Sequence, residues 1–198
     1  LYSESKKNNI PIFEVLGNLI SDFSKLLKQE ATRIPSGQHT LDKEYYKRIE
    51  AVQFTMAHDD GKIIHDLEKS DVILVGISRT SKTPTSMYLA NRGYKVSNIP
   101  IIPNKNLPDS LFENSKKTFI VGLVCDVSRL IDVRRNRIHS MHEDRPGDYT
   151  SEKEILNELE KSKKIFKDNN WPTVDVTRKS VEETAATIIK TLDILNSR

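Results

Sequence analysis

The sequence predicts an α/β protein: a mostly parallel sheet with helices on both faces and a P-loop, preceded by a helical N-terminal segment. The first observation is that short β-branched runs alternate with helical patterns, as in a sheet built from strand–helix–strand units. The predicted strands are residues 71–75, 95–102, 118–124 and 173–176. The second observation is that the strand at 71–75 leads into a hydroxyl-rich loop and then a helix at 84–91.

The N-terminal part of the chain reads as helical. Residues 1–9 are polar and are expected to be frayed, whereas residues 10–29 carry apolar side chains at three- and four-residue spacing, which predicts an amphipathic helix. A second helical pattern covers residues 41–52. We therefore predict two parts: residues 1–50, a helical remnant of an N-terminal domain, and residues 51–198, the P-loop domain.

The later elements follow from the same periodicity. Gly93 suits the end of the helix at 84–91, and Pro103 ends the second strand. A polar loop is predicted over residues 103–117 and another over 142–150. The remaining predicted helices are a basic one at 128–141, one at 151–168 and a closing one at 181–195.

Composition excludes several classes of protein. The chain has 198 residues and a net charge of +3, which is too small a surplus to indicate nucleic acid as the main partner. It has one cysteine, Cys125, which excludes a disulfide framework and a cysteine-rich zinc site. No apolar run approaches the roughly 20 residues that span a bilayer. The cytosol is the expected compartment. Because the chain begins with Leu1 and not Met, we expect a preceding N-terminal piece in the native protein.

The loop after the first strand nearly matches the phosphate-binding pattern G-x-x-x-x-G-K-[ST], with Ser81 in place of the second Gly. Successive backbone N–H groups at a helix N-terminus bind phosphate, provided that Ser81 can adopt the required backbone angles. Lys82 would reach the terminal phosphate, and the Thr83 hydroxyl would bind Mg²⁺. The alternative is a hydroxyl-rich loop that caps a helix. The predicted phosphate-binding residues are Gly76, Ile77, Ser78, Arg79, Thr80, Ser81, Lys82 and Thr83.

The corner His58-Asp59-Asp60 lies one element before this loop and is a candidate for proton transfer. A carboxylate can deprotonate an attacking hydroxyl, and adjacent acids in an extended chain point different ways. We take Asp59 as the first choice for the base and Asp60 as the second, with His58 and Lys82 as further candidate catalytic residues. The alternative is a solvated acidic turn.

Other charged residues are candidates for ligand binding. Asp126 follows the third strand, where an acid can bind Mg²⁺, although Asp also favours the helix N-cap position. Arg134 is the best candidate in a basic helix to clamp phosphate, against the alternative of a solvated basic face. The loop residue Arg145 could act from a lid. Tyr149 and Trp171 are interpreted as packing residues. The other basic candidates are Arg129, Arg135, Arg137, His139, Arg178 and Lys179.

Four segments of the chain resemble a known family. SRTSKTPTSMYLANRG, RIEAVQFTMAHDDG, CDVSRLIDVRRNRI and WPTVDVTRKSVEETAATII look like the corresponding parts of the bacterial and plant regulatory proteins of pyruvate, phosphate dikinase and phosphoenolpyruvate synthase. The resemblance covers about residues 10–198. The family carries Ser or Gly at the position of Ser81, and it has an additional N-terminal region that this chain lacks.

The resemblance implies a bifunctional serine/threonine kinase and phosphorylase. The kinase would take ADP as donor, with Mg²⁺ the expected metal, and phosphorylate a threonine of the dikinase or synthase. The phosphorylase would use inorganic phosphate to remove that group and release pyrophosphate. Two alternatives stay open: an ATP-dependent kinase of another class, and a non-catalytic nucleotide-sensing module. The helix at 10–29 could serve a homodimer interface.

Overall fold

The computed structural model describes residues 2–12, 16–31, 43–113, 118–141 and 147–196. The chain divides into two compact units, residues 1–40 and 41–198. The first contains α1 (Tyr2–Lys7) and α2 (Gly17–Leu27). Two expectations for this segment were wrong. Residues 2–7 are helical rather than frayed. Among the described residues of the stretch 10–29, the helix covers Gly17–Leu27, and residues 10–12, 16, 28 and 29 are not helical.

The second unit contains an all-parallel four-stranded sheet in the order β2-β1-β3-β4. The strands are β1 (Val72–Gly76), β2 (Val96–Pro100), β3 (Phe119–Val124) and β4 (Thr173–Asp175). The helices are α3 (Lys43–Ala57), α4 (Lys82–Asn91), α5 (Asp109–Glu113), α6 (Val127–Met141), α7 (Glu152–Asp168) and α8 (Val181–Asn196). This arrangement confirms the predicted α/β class. Helix α5 lies inside the stretch expected to be a loop.

The sheet is buried on both faces, as a parallel sheet requires. Alternate residues of β1 enter two hydrophobic clusters, Val72 and Leu74 in one, and Ile73 and Val75 in the other. The first cluster includes Leu89 of α4 and Ile188 of α8. The second is closed by residues of other elements: Leu67, Leu111, Phe166 and Trp171. The burial of Trp171 there agrees with its interpretation as a packing residue.

The order of the strands fixes where a ligand would bind. The chain runs from β1 outward to β2 and then returns to the other side of β1 at β3. In open parallel sheets, ligands bind beyond the carboxyl ends of the strands where the direction of winding reverses. Here that position lies beyond Gly76, the last residue of β1.

None of the helices among the described residues is long and apolar enough to cross a bilayer.

Candidate active site

The loop between β1 and α4 has a tightly constrained backbone. A Cβ added at Gly76 would lie 2.8 Å from Thr80 Oγ1 and 2.9 Å from the Leu123 carbonyl oxygen, so this position requires glycine. Arg79 and Ser81 have positive φ angles of 72° and 58°. Ser81 thus adopts the left-handed conformation for which the phosphate-loop pattern uses glycine, and the condition set in the sequence analysis is met.

Lys82 is buried at the start of α4 and its charge lies against this loop. Lys82 is 6% exposed, and its Nζ donates a hydrogen bond to the Ile77 carbonyl oxygen at 2.9 Å. Burial lowers the pKa of Lys82 from 10.5 to about 8, because desolvation disfavours the ammonium form. The carboxylates of Asp60 and Asp59 oppose this shift. An ammonium that exchanges a carbonyl for a phosphate oxygen would be well suited to phosphoryl chemistry.

The acidic corner forms a short 3₁₀ turn, Asp59–Gly61, and its two carboxylates have different surroundings. Asp59 Oδ1 accepts hydrogen bonds from Thr83 Oγ1 at 3.1 Å and from Asn98 Nδ2 at 2.6 Å. Asp60, with φ of 54°, instead lines the cavity beside Lys82. The two acids thus differ in their contacts within a turn rather than in the extended chain for which the expectation was stated.

His58 is oriented toward its own helix. Its Nδ1 hydrogen-bonds to the Phe54 carbonyl oxygen at 2.8 Å, and its ring stacks on Phe54 with centroids 3.9 Å apart. Its Nε2 is buried and has no hydrogen-bond partner among the described residues. The structure thus associates His58 with the helix end rather than with the cavity lining.

A cavity of about 580 Å³ lies at the carboxyl ends of β1 and β2, within the size range of small-molecule sites. Its polar lining comes from the loop, Lys82, Asp60, Arg134, Tyr149 and Glu158. Its apolar lining comes from the end of β2 and from Val133 of α6. The lining residues are Asp60, Ser78, Arg79, Ser81, Lys82, Thr83, Pro84, Pro100, Ile101, Ile102, Pro103, Val133, Arg134, Tyr149 and Glu158.

Arg134 lies in the wall of this cavity and joins three elements. Arg134 is fully buried; its Nη2 donates to Glu158 Oε2 at 2.6 Å, and its Nη1 donates to the Tyr149 carbonyl oxygen at 3.0 Å. Nη2 also donates to the Ser78 carbonyl oxygen at 3.3 Å. These contacts hold the loop against α7. A direct contact of Arg134 with phosphate stays a prediction.

Tyr149 was interpreted as a packing residue, but it belongs to the candidate site. Its hydroxyl lies 3.0 Å from Ser78 Oγ, and its ring lies under the guanidinium of Arg134 at 4.7 Å. Burial opposes ionisation, yet the hydrogen bonds of Ser78 and Arg79 and the nearby guanidinium charges lower the pKa of Tyr149 overall. Its place in a Gly-Asp-Tyr-Thr turn between two helices was the only signal in the sequence.

Asp126 is not brought together with Thr83. It is exposed, its backbone N–H donates to Thr177 Oγ1 at 2.9 Å, and its carbonyl oxygen accepts from Leu130 N at 3.1 Å in the first turn of α6. It lines a separate cavity of about 260 Å³ with Asp175, Thr177, Arg178 and Lys179. Over the described residues, no group of three or more His, Cys, Asp or Glu side chains could hold a metal ion.

The other candidates lie away from the cavity. Arg129, Arg135, Arg137 and His139 are exposed on α6, as the alternative of a solvated basic face predicts. Arg145 lies outside the described residues. Cys125 is buried in the core beneath the strand ends, and burial raises the pKa of its thiol, which agrees with an unreactive core cysteine.

Two further residues were missed from the sequence: Glu158, which lines the cavity, and Asn98, which lies behind it. Asn98 lies in β2 and contacts both Asp59 and Thr83. A polar amide inside a buried strand next to the loop was the available signal, because such a strand rarely keeps an amide without a use. Glu158 lies in α7 at a spacing that gave no signal at all.

These features define an α/β protein with a candidate active site at the reversal of its sheet, where a buried lysine and two carboxylates adjoin a tight strand–loop–helix connection. Comparison with known proteins identifies the family. The chain belongs to the kinase/pyrophosphorylase family, whose sequence model matches residues 1–189.

Several relatives carry the provisional name pyruvate, phosphate dikinase regulatory protein. One from Pelagibacter ubique is 55% identical over 194 residues, which cover 98% of this chain and 71% of the relative. One from Sphingopyxis alaskensis is 46% identical over 93% of this chain and 68% of its own length. One from Erythrobacter litoralis is 43% identical over 96% of this chain and 68% of its own length.

Proposed function

We propose that this protein regulates pyruvate, phosphate dikinase, or phosphoenolpyruvate synthase, by reversible phosphorylation of a threonine, with ADP as the donor. The observation that carries the proposal is the buried ammonium of Lys82, which donates to the loop carbonyl of Ile77 and lines, together with Asp60, a cavity at the strand ends. Membership of the kinase/pyrophosphorylase family and the names of the relatives support the same reading.

The two reactions pass through one phosphate site. In the kinase direction the threonine hydroxyl attacks the β-phosphorus of ADP, the bond to the bridging oxygen breaks, AMP leaves and the hydroxyl proton goes to a base. In the phosphorylase direction inorganic phosphate attacks the phosphothreonine, the threonine oxygen leaves and takes up a proton, and pyrophosphate is released. Both transition states place negative charge on the same transferred phosphoryl group.

Lys82 and Asp60 are assigned the central roles. Lys82 would leave the Ile77 carbonyl and neutralise the transferred group, which is the largest contribution in phosphoryl transfer. The first choice for proton transfer was Asp59, but its Oδ1 already accepts two hydrogen bonds, whereas Asp60 faces the cavity. We therefore assign the proton transfer to Asp60 and a holding role to Asp59.

Mg²⁺ fits the oxygen pair of Asp59 and Thr83 better than the pair of Thr83 and Asp126. Mg²⁺ prefers hard oxygen ligands, keeps several waters and is usually bound by one or two protein groups together with substrate phosphates. Thr83 Oγ1 and Asp59 Oδ1 are 3.1 Å apart at the start of α4, and Asp126 lines a different cavity. When bound, the cation would neutralise charge on the phosphates; the protein would supply these two oxygens and Lys82.

Paired variants assayed in both directions test this function. Lys82→Ala should abolish the ADP-dependent phosphorylation and the phosphate-dependent dephosphorylation of the dikinase together. Asp60→Asn should reduce turnover in both by about 10²–10⁴-fold, the usual contribution of a general base, with nucleotide affinity largely kept.

Survival of one direction at the wild-type rate in Lys82→Ala would rule out a shared site. Label transfer from ATP but not ADP would favour a kinase of another class, and nucleotide binding without turnover would favour a sensing module.

A further inference from the structure

Asn98 has a conspicuous position that neither the proposed reaction nor the family assignment uses. It lies in β2, its residue is 0% exposed, and its backbone N–H donates to the His58 carbonyl oxygen at 3.0 Å. The strand thereby holds the end of the segment that carries Asp59 and Asp60. The side chain then continues from the same residue into the acidic corner.

The Asn98 amide closes a triangle of hydrogen bonds. Its Nδ2 donates to Asp59 Oδ1 at 2.6 Å and to Thr83 Oγ1 at 3.1 Å, and Thr83 Oγ1 itself donates to Asp59 Oδ1. An ionised carboxylate only accepts hydrogen bonds, so the amide nitrogen, not the oxygen, must face Asp59. Three elements distant in the sequence, the acidic turn, β2 and α4, are joined at this point.

This arrangement carries a cost in stability. Asn98 Oδ1 is buried and has no hydrogen-bond partner among the described residues. An unsatisfied buried acceptor is unfavourable for stability, and an apolar residue of similar shape would not contain one. Local costs of this kind concentrate at functional sites, so the amide is better explained by what it holds than by packing.

We propose that Asn98 is a positioning residue: it holds the Asp59 carboxylate and the Thr83 hydroxyl as an oxygen pair for the divalent cation that accompanies a bound nucleoside diphosphate. The inference rests on the proposed function for its ligand. Residues that orient the ligands of a metal typically change its affinity 10–100-fold when they are replaced. Asn98 also explains why the two acids have different roles, because its amide hydrogen-bonds to Asp59 and not to Asp60, which lines the cavity.

The test measures the cooperativity between binding of the cation and binding of the nucleotide. ADP affinity is determined by calorimetry with Mn²⁺ and with EDTA for the wild type, Asn98→Leu, Asn98→Ala and the control Asn91→Ala. Asn91 is an exposed residue of α4 whose amide donates to the Met87 carbonyl oxygen, so it matches the residue type outside the site. The melting temperature of each variant is measured in EDTA.

We expect Mn²⁺ to tighten ADP binding in the wild type and in Asn91→Ala. In Asn98→Leu, this gain in ADP affinity from Mn²⁺ should be at least tenfold smaller. The ADP affinity of Asn98→Leu in EDTA should differ from that of the wild type by less than threefold. The melting temperature of Asn98→Leu should stay close to that of the wild type, because the loss of the two hydrogen bonds from Nδ2 is offset by removal of the unsatisfied Oδ1 acceptor. If that variant does not fold, Asn98→Ala carries the same comparison. An unchanged gain with Mn²⁺, or a parallel loss of affinity in Mn²⁺ and EDTA with a lower melting temperature, would overturn the positioning role. A wild type that binds no ADP in either condition would overturn the proposed function as well.

Discussion

Replacing Lys82 by Met should stabilise the ligand-free protein while removing its activity. The pKa of Lys82 is lowered from 10.5 to about 8 by burial, so its charged form is disfavoured in the folded state. One pKa unit corresponds to 1.36 kcal/mol, which puts the cost of the buried charge at about 3 kcal/mol. The variant also loses the hydrogen bond to the Ile77 carbonyl oxygen, which reduces the gain in stability by about 1 kcal/mol. The expected net gain at pH 7 is about 2 kcal/mol.

The pH dependence distinguishes this cause from a general effect of a more apolar side chain. Below pH 8 Lys82 is charged in both the folded and the unfolded state, so the full cost applies. Between pH 8 and 10.5 it stays charged only in the unfolded chain, which binds more protons there, and wild-type stability rises with pH. The advantage of Lys82→Met should therefore shrink steadily from pH 8 to pH 10.

Chemical denaturation of the wild type, Lys82→Met and the exposed control Lys153→Met at pH 7, 8, 9 and 10 provides the measurement. The control should change the free energy of unfolding by less than about 0.5 kcal/mol at every pH. A Lys82→Met variant that is no more stable than the wild type at pH 7, or whose advantage stays constant to pH 10, would refute the reasoning.

Three stability predictions follow from single contacts. Ser81→Gly should stabilise the protein by about 0.5–1 kcal/mol, because it relieves a positive φ and loses no capping hydrogen bond; an unfolding midpoint at or below the wild-type value would contradict this. Gly122→Ala should destabilise it by about 1–3 kcal/mol in urea titration, since the new Cβ would lie 2.5 Å from the Phe166 ring, and a neutral effect would show that the ring moves freely. Glu158→Ala should lower the free energy of unfolding by about 3 kcal/mol, because it leaves Arg134 buried without its carboxylate; a loss under 1 kcal/mol would mean that water replaces the pair.

Much of the fold could be predicted because its elements have strong local signals. The strands at 72–76 and 119–124 are apolar runs bounded by polar loops, and the pairing of the strands in one parallel sheet follows from the helices between them. The helix at residues 10–29 was overestimated, because an apolar stripe fixes the face of a helix but not its ends. Helix α5 was missed since a five-residue helix has too few turns to show a period.

The candidate site also has features that could be predicted from the sequence and features that could not. The strand–loop–helix connection that contains Lys82 was predictable because its residues are contiguous in the sequence, and the left-handed conformation of Ser81 meets the condition placed on it. Phosphate binding by this loop stays a prediction. Asn98 and Glu158 were not, because their partners lie 39 and 24 positions away and only the packed sheet brings them together. Asp126 was misplaced for a related reason. Its position after a strand predicts the edge of the sheet at which it lies, but not which of the cavities along that edge it lines.

The transfer of a labelled phosphoryl group tests the central claim most directly. Purified dikinase is incubated with this protein and either ADP labelled at the β-phosphate or ATP labelled at the γ-phosphate, each with and without Lys82→Ala, and the labelled residue is located by peptide mapping. We predict label from ADP on a dikinase threonine with stoichiometric AMP, its removal by inorganic phosphate with release of pyrophosphate, and neither reaction in Lys82→Ala. No transfer from ADP by active, folded protein, or transfer that persists in Lys82→Ala, would contradict the account.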